Sequence, residues 1–534
     1  MHVAGVASRP QQPGQPSSRA RVLTVGAVLA PAVVAAALSA YELSARSLWL
    51  DESATVAIAS QHGEALWAAM RYDGGNMLAY YGLVHVLISL FGNSLVVLRL
   101  PSVVATAVTA GTVSVIGLRL FNRSVGLAAG LLTAVSLPLI YWGQDARAYA
   151  LMYALCALSW LGFVALVDGE SARSPGKPPV WAWPLYVIAL VLAMYMTFVA
   201  VLVVPAQLAS LFWYRRRFRL VASGLAIAAI CSLPLVVLAR ERGAGQLFWI
   251  PRPSFSEAAA PIEQILGSGL PPQFHLTATS LPLLGLTVAL LVLIGVAALM
   301  GDRAHSAVDN VSRERWAAAL VVSWLLVPGL VDTVESFVGQ SVFESRYLLV
   351  SAPAASLALS CGLCSSRWPR SIGAAAVAGL LVLRFVQILP SYGVSPENWH
   401  GAADYVFDSA RSGDCIAFYP ADGRGAFDYY FEGSGRPAGR LPRPVLPDAP
   451  FTEVKVYVED YQALQRSEIR RVAASCPRLW LVSSHVGVPP ATATSTAHYV
   501  RYEALLSSLG RHFSHRSRAT FGYAQQVDVW LFST

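Results

Sequence analysis

Residues 22–40 read VLTVGAVLAPAVVAAALSA, a stretch without a single charge. At 1.5 Å per helical residue it is long enough to cross the ~30 Å hydrocarbon core of a bilayer. Leu281 to Met300 and Ile372 to Leu389 repeat the pattern. Apolar runs of that length are membrane spans rather than the helices of a soluble core. Of the 534 residues, 55% are hydrophobic and only 13% charged, against about 25% charged in an ordinary soluble protein. The chain therefore reads as a polytopic α-helical membrane protein. About eleven spans are expected, near 22–40, 99–118, 124–140, 148–167, 181–197, 199–213, 220–238, 281–300, 316–332, 347–364 and 371–389.

The net charge of +8 belongs to topology, not to nucleic acid: nearly every cation is Arg, and most flank apolar runs. Residues 77–91 are apolar but short. If they lie in the membrane surface instead of crossing it, six basic stretches fall on one side. These are Arg19 with Arg21, Arg119 with Arg123, Arg173 with Lys177, Arg215 to Arg219, Arg303 to Arg315, and Arg367 with Arg370. The positive-inside rule makes that side cytoplasmic. Residues 1–21 are then a cytoplasmic tail, 22–389 the transmembrane module with a large first outer loop at 41–98, and 390–534 an extracytoplasmic domain in the cell envelope. No small-residue cleavage site follows the first run, which reads as a retained span.

In the tail, strand-like runs at Cys415 to Tyr419, Val454 to Val458 and Leu479 to Val482 alternate with helix-like stretches near 399–411, 461–474 and 496–509. That alternation indicates a small α/β domain, with 519–523 and 527–532 able to pair as an edge hairpin. Of six cysteines, only Cys415 and Cys476 fall there, and their placement on an oxidising side allows a disulfide. Cys361 and Cys364 have CxxC spacing but no neighbouring His or Cys to complete a metal site.

Four polar features face the expected outer side. Asp51 and Glu52 follow Trp49 just after the first span, where desolvation can raise a carboxylate's proton affinity. Asp51 or Ser53 could equally serve as a helix N-cap. Gln144, Asp145, Arg147 and Tyr149 bring a carboxylate, a cation and a phenol to a junction of spans, which is tolerated only where it faces protein or water. Arg346 beside Tyr347 suits a lipid-linked phosphate, or simple interface anchoring. Asn76, Tyr80 and Tyr81, after Gly74 and Gly75, form a turn whose aromatics could line a sugar or lipid surface. His85 on an apolar face reads as a hydrogen-bonded buried histidine. No Walker A, Rossmann, kinase or nucleophile-elbow motif is present, so any transferred group would come from an activated, membrane-held donor.

The order of these features resembles bacterial GT-C glycosyltransferases, and most of all the family 39 dolichyl-phosphate-mannose-protein mannosyltransferase-like group. The resemblance rests on the acidic pair, the Tyr-Tyr helix, Leu-Phe-Gly before Arg99-Leu100-Pro101-Ser102, then Gln144-Asp145-Ala146-Arg147-Ala148-Tyr149 and later Ser345-Arg346-Tyr347-Leu348. It is best over 41–170, thinner over 340–350 and poor in the tail. It implies transfer of a sugar from a polyprenyl-phosphate donor to a glycan, glycolipid or protein acceptor, usually with inversion, at the bilayer's outer face and without nucleic acid. Asp51 matches the acidic residue assigned as general base, with Glu52 beside it and Asp145 as a further acidic group orienting acceptor or metal. Arg147 and Arg346, with Tyr149 and Tyr347, would hold the donor phosphate; Trp49, Asn76, Tyr80, Tyr81 and Gln144 would line the substrate. Where many relatives have His-Pro-Pro-Leu-Tyr, this chain has Asn76-Met77-Leu78-Ala79-Tyr80, so no metal role passes to a His there. No metal ligands are assigned, and a divalent cation is left as an option. The Arg-rich, Lys-poor composition looks actinobacterial, which favours mannose or arabinose as the sugar. The alternatives are a secondary transporter, for which Asp332 and Arg384 are the nearest midspan charges, and a non-catalytic scaffold displaying the tail domain.

Overall fold

The structure is a computed structural model that describes residues 18–169, 177–212, 217–243, 247, 250–254, 261–267, 308–364, 369–437, 441–449, 463–487 and 493–534. Its first half runs α1 (Ser18–Ala40), α2 (Leu50–Ala59), α3 (Gly63–Tyr72), α4 (Leu78–Phe91), α5 (Leu95–Leu120), α6 (Arg123–Ala134), α7 (Leu137–Gly143) and α8 (Tyr149–Asp168). Among the described residues, seven helices are long and apolar enough to cross a membrane: Arg21–Ala40, Leu95–Leu120, Tyr149–Asp168, Phe218–Arg242, Arg313–Val338, Ser345–Leu363 and Arg370–Ser391. The expected span at 281–300 and the expected strand at 454–458 lie outside the described residues.

The expected span at 124–140 is broken. Its two halves, α6 and α7, meet at 58°. Pro138 at the start of α7 cannot donate to the preceding turn, and its ring disfavours a straight continuation, so the chain restarts there as a new helix. The bend carries Tyr141, Trp142 and the following 144–147 turn inward, where all are buried. Residues 77–91 form a helix of only 14 residues, opened by Met77 in the left-handed region (φ 58°) after Gly74 (φ 72°) and Gly75 (φ 75°). Both glycines lie against helix Phe218–Arg242: a Cβ at Gly74 would come 2.8 Å from Arg242, and one at Gly75 2.7 Å from Leu238. The backbone approach, not the turn alone, requires the glycines.

Helix direction sorts the charges. Arg119, Arg123, Lys177, Arg217, Arg219, Arg313 and Arg370 cluster at one end of the bundle, where Arg313 pairs with Asp168 at 2.7 Å. Asp51, Glu52, Asp145, Arg147 and Arg346 gather at the other, from which the helix Arg370–Ile388 leads into the tail.

The tail folds around a five-stranded sheet in the order β2-β1-β3-β5-β4, with β1 (Cys415–Tyr419), β2 (Arg443–Leu446), β3 (Arg478–Ser483), β4 (His515–Phe521) and β5 (Val527–Ser533). β1 runs parallel to β2 and β3, whereas β5 runs antiparallel to β3 and β4. The hairpin anticipated at the C-terminus is β4–β5, with Phe521 opposite Val527. Helices Trp399–Ser409, Arg466–Ser475 and Ala493–Gly510 pack on the sheet. One sheet face joins the bundle directly: Trp399, Phe418 and Phe427 share a continuous buried cluster with Leu48, Tyr80 and Trp160. The other face has its own core around Leu479, Leu505 and Phe532.

Cys415 and Cys476 are joined by a disulfide across 61 residues of sequence. Closing a loop of that size restricts the unfolded chain and is worth about 2–4 kcal/mol. Replacing both cysteines with serine is expected to lower the tail domain's unfolding transition and to make it insensitive to reductant. Wild type without reductant is the comparison, and tryptophan fluorescence in detergent is the readout.

Candidate active site

The site grows from the first turn of α2. Trp49 is its N-cap in extended conformation, which places Leu50, Asp51 and Glu52 in the first helical turn. Asp51 and Glu52 point different ways because successive helical residues differ by about 100°. The structure separates them completely.

Glu52 and Arg99 are both fully buried and form a forked ion pair. Arg99 Nε donates to Oε1 at 2.7 Å and Nη2 to Oε2 at 2.6 Å. Oε1 also accepts the Ala146 N–H at 2.7 Å, and Oε2 lies 3.4 Å from the Trp49 N–H. Arg99 spends its remaining donors on the carbonyls of Leu43, Arg46 and Ser47. Burial pushes the Glu52 carboxyl up, but the charge and hydrogen bonds of Arg99, assisted by Arg46 and the Ala146 N–H, outweigh it and hold the carboxyl below its usual range. A carboxylate so committed accepts no proton from a substrate. Glu52, expected in the catalytic set beside Asp51, ties loop 43–52 to α5 and to the 145–147 turn.

Asp51 keeps a side chain that is 24% exposed and sits 3.6 Å from Arg147. Arg147 Nη1 also donates to the Asp51 carbonyl at 3.2 Å and to Thr55 Oγ1 at 3.3 Å. The second cation, Arg346, lies in a box of rings, with its guanidinium carbon 5.9 Å from Trp142, 5.4 Å from Tyr149 and 5.6 Å from Tyr347. Rings around a guanidinium are attracted to its charge.

Asp145 is fully buried. Its Oδ1 accepts the Trp49 indole N–H at 2.7 Å, and its Oδ2 has no hydrogen-bond partner among the described residues. Burial, followed by the charge of Glu52, pushes its carboxyl up to about 8, against the opposing pull of Arg46 and Trp49. At neutral pH it is mostly protonated and orients Trp49. The turn itself is pinned by Ser102, whose hydroxyl donates to the Asp145 carbonyl at 2.6 Å.

Other expected lining residues are occupied elsewhere. Gln144 Nε2 donates to the Tyr41 carbonyl at 2.7 Å, and the Tyr81 hydroxyl donates to Asp73 at 3.0 Å. Tyr80 is fully buried, and Asn76 is partly buried in the glycine turn. Trp49 borders a narrow cleft between Arg46, Tyr141 and Trp142 on one side and Glu397 and Gln525 of the tail on the other. His85 is a satisfied histidine, with Nδ1 2.8 Å from the Ala59 carbonyl.

Sequence reasoning missed the tail's share. His485 Nε2 lies 3.2 Å from Glu397 Oε1. Burial lowers the proton affinity of His485, but Glu397, Asp422 and Asp51 raise it further, to about 9, so the ring is cationic at neutral pH. Asp422 is pushed up to about 7 by burial and by Asp51 and Glu397, with His485 opposing. Among the described residues no group of three or more His, Cys, Asp and Glu side chains is arranged to hold a metal ion. The divalent-cation option has no ligand set in this arrangement, and no step below passes through one.

Residues 77–239 match the family model of dolichyl-phosphate-mannose-protein mannosyltransferases. No curated protein matches the chain in sequence. Among solved structures, ArnT from Cupriavidus metallidurans in the apo state superimposes with a TM-score of 0.54 at 13% identity, over 95% of this chain and 98% of that one. The same protein bound to undecaprenyl phosphate gives 0.49 at 12% identity, over 95% and 98%. The Archaeoglobus fulgidus oligosaccharyltransferase in complex with Zn and sulfate gives 0.47 at 11% identity, over 93% of this chain and 72% of that one. The likeness to apo ArnT shows a shared fold over 95% of this chain, and the family model matches 77–239 within it.

Two outcomes check the electrostatics. Removing Arg99 leaves Glu52 buried and unpaired, so Arg99→Met is expected to cost about 3–5 kcal/mol, read as loss of folded protein from detergent extracts. Asp145→Asn keeps an acceptor for Trp49 and should fold normally, whereas Asp145→Ala orphans the indole N–H at a cost of about 1–3 kcal/mol. The folded protein keeps the Asp145 proton up to about pH 8, whereas the unfolded chain releases it near 4. Stability therefore falls as pH rises through that window. Thermal unfolding at pH 6 and 8 should show a smaller pH effect in Asp145→Asn than in wild type.

Proposed function

We propose that the protein transfers a sugar from a polyprenyl-phosphate donor to a cell-envelope acceptor at the extracytoplasmic face, in one displacement with Asp51 as general base. The observation that carries this reading is a partly exposed carboxylate, Asp51, held 3.6 Å from Arg147 at the end of the bundle that also holds ring-boxed Arg346. The matching family model, with its dolichyl-phosphate-mannose donor, supports a lipid-phosphate sugar and favours mannose, with arabinose the second choice.

In this reading the acceptor hydroxyl gives its proton to Asp51 as its oxygen forms a bond to sugar C1. The bond from C1 to the phosphate oxygen breaks, and polyprenyl phosphate leaves with the bonding pair. The new negative charge forms where Arg147 and Arg346 are already in place, which costs no reorganisation at that moment. Tyr149, between the two cations, and Tyr347 shape the phosphate subsite. Trp49, oriented by protonated Asp145, lines the acceptor side. The acceptor is a glycan, glycolipid or protein carrying a free hydroxyl.

Transfer of radiolabelled sugar from polyprenyl-phosphate-mannose and polyprenyl-phosphate-arabinose to native membrane acceptors tests the reading. Asp51→Asn at equal abundance is expected to lose about 10²–10⁴ of the rate, and Arg346→Met about 10²–10³. Wild-type transfer by Asp51→Asn would reject the base assignment and favour the scaffold reading. No transfer by wild type from either donor would reject both sugars.

A further inference from the structure

Every backbone N–H that leads into Asp51 is held by the tail domain, except where the loop holds its own. The Ser47 N–H donates to Ser395 Oγ at 2.7 Å, the Leu48 N–H to the Tyr430 hydroxyl at 2.6 Å, and the Leu50 N–H to Glu397 Oε2 at 3.2 Å. The Trp49 N–H is the exception, directed at Glu52 from 3.4 Å. In return, the Ser47 hydroxyl lies 3.1 Å from Tyr430 Oη and accepts the His400 N–H at 3.1 Å. The partners lie more than 340 positions away in the sequence.

A helix leaves its first N–H groups without partners inside the helix, and they are met by side chains or water. The cap residue of α2, Trp49, has no side-chain cap bond. Glu397 supplies the acceptor instead, and a carboxylate is the group best suited to the positive end of a helix. Glu397 is 2% exposed and is itself fixed from two further sides, by Trp399 Nε1 at 3.0 Å and His485 Nε2 at 3.2 Å. His485 sits in the left-handed region at φ 49°, a conformation that costs a non-glycine residue energy and persists where surroundings dictate it. Tyr430 is likewise fixed, its ring stacked on His400 at 4.8 Å.

We propose that Glu397 is a positioning residue: backed by His485 and Trp399, it caps α2 from the tail domain and sets where the Asp51 carboxylate stands relative to Arg147. The tail thereby becomes part of the reaction centre rather than a module displayed beside it. The proposal rests on the reading of Asp51 as base. It accounts for the tail's hold on residues 47, 48 and 50, which lead into Asp51, since a misplacement of about 1 Å can cost a hundredfold in rate.

The test uses the full-length protein in detergent or nanodiscs. Glu397→Ala is expected to lower kcat about 10–100-fold, with donor and acceptor KM within about twofold of wild type. Glu397→Ala also orphans the Trp399 indole N–H and the ion-pair partner of His485, so a lowered unfolding temperature is expected, and kcat is compared only in protein that is folded and carries the disulfide. Glu397→Gln, whose amide oxygen can still accept both N–H groups, should recover most of that loss. Tyr430→Phe removes the acceptor of the Leu48 N–H and the partner of the Ser47 hydroxyl and is expected to lower kcat about three- to tenfold; it stands in should Glu397→Ala fail to fold. Unchanged kcat in the folded variants, beside an inactive Asp51→Asn, overturns the proposal. So does a raised acceptor KM with kcat intact, which would make Glu397 a substrate contact. Active Asp51→Asn instead refutes the base reading, and is distinguishable on that ground. Hydrogen exchange gives an arm independent of any donor: amides 48–52 should exchange faster in Glu397→Ala, and unchanged exchange there overturns the clamp outright.

Discussion

The Glu52–Arg99 ion pair is the constraint on which the site depends. It is fully buried, forked and shared with three loop carbonyls and the Ala146 N–H. It thus joins the first loop, α5 and the 145–147 turn at one point. Burying two charges is expensive and is repaid only when geometry and additional hydrogen bonds are complete. Here they are, and the consequence is fixed direction: with Glu52 turned inward to Arg99, its neighbour Asp51 is turned toward Arg147.

Three carboxylates at one end of the bundle thereby acquire three states. Glu52 is held ionised by Arg99; Asp145, enclosed and next to that charge, is held protonated with a carboxyl near 8; Asp51 alone retains access to solvent. Environment rather than residue type assigns the roles. The cations divide similarly. Arg99 is spent on structure, while Arg147 and ring-boxed Arg346 stand near Asp51.

Much of this was legible in the sequence. Apolar run length gave seven long apolar helices among the described residues, while the runs at 181–197 and 199–213 form shorter helices, Ala182–Met196 and Phe198–Ser210; strand–helix alternation gave the tail's class, because both signals are local. Asp51, Arg147 and Arg346 were recognisable as polar residues at span ends. The inward turn of Glu52 was not, since adjacent carboxylates look alike until a distant partner is known. Arg99 lay in a quoted motif, but its partner, 47 positions away, could be found only by folding. The break between α6 and α7 is marked by Pro138, but the apolar run continues through it, so run length alone does not show it. Glu397, Tyr430 and His485 carried no motif at all. Their meaning lies in contacts with residues 47–50, separated by more than 340 positions.

Membrane module and tail thus meet at one place, with the Asp51 turn held by Arg147 on one side and by Glu397 on the other. The measurement that most directly tests a single displacement assisted by Asp51 is the configuration at the sugar's C1 in donor and in product, read by NMR of anomeric couplings. Inversion is the predicted result. Retention would contradict the account, because a double displacement would put a covalent bond to the sugar on a carboxylate that a single displacement uses only to take a proton.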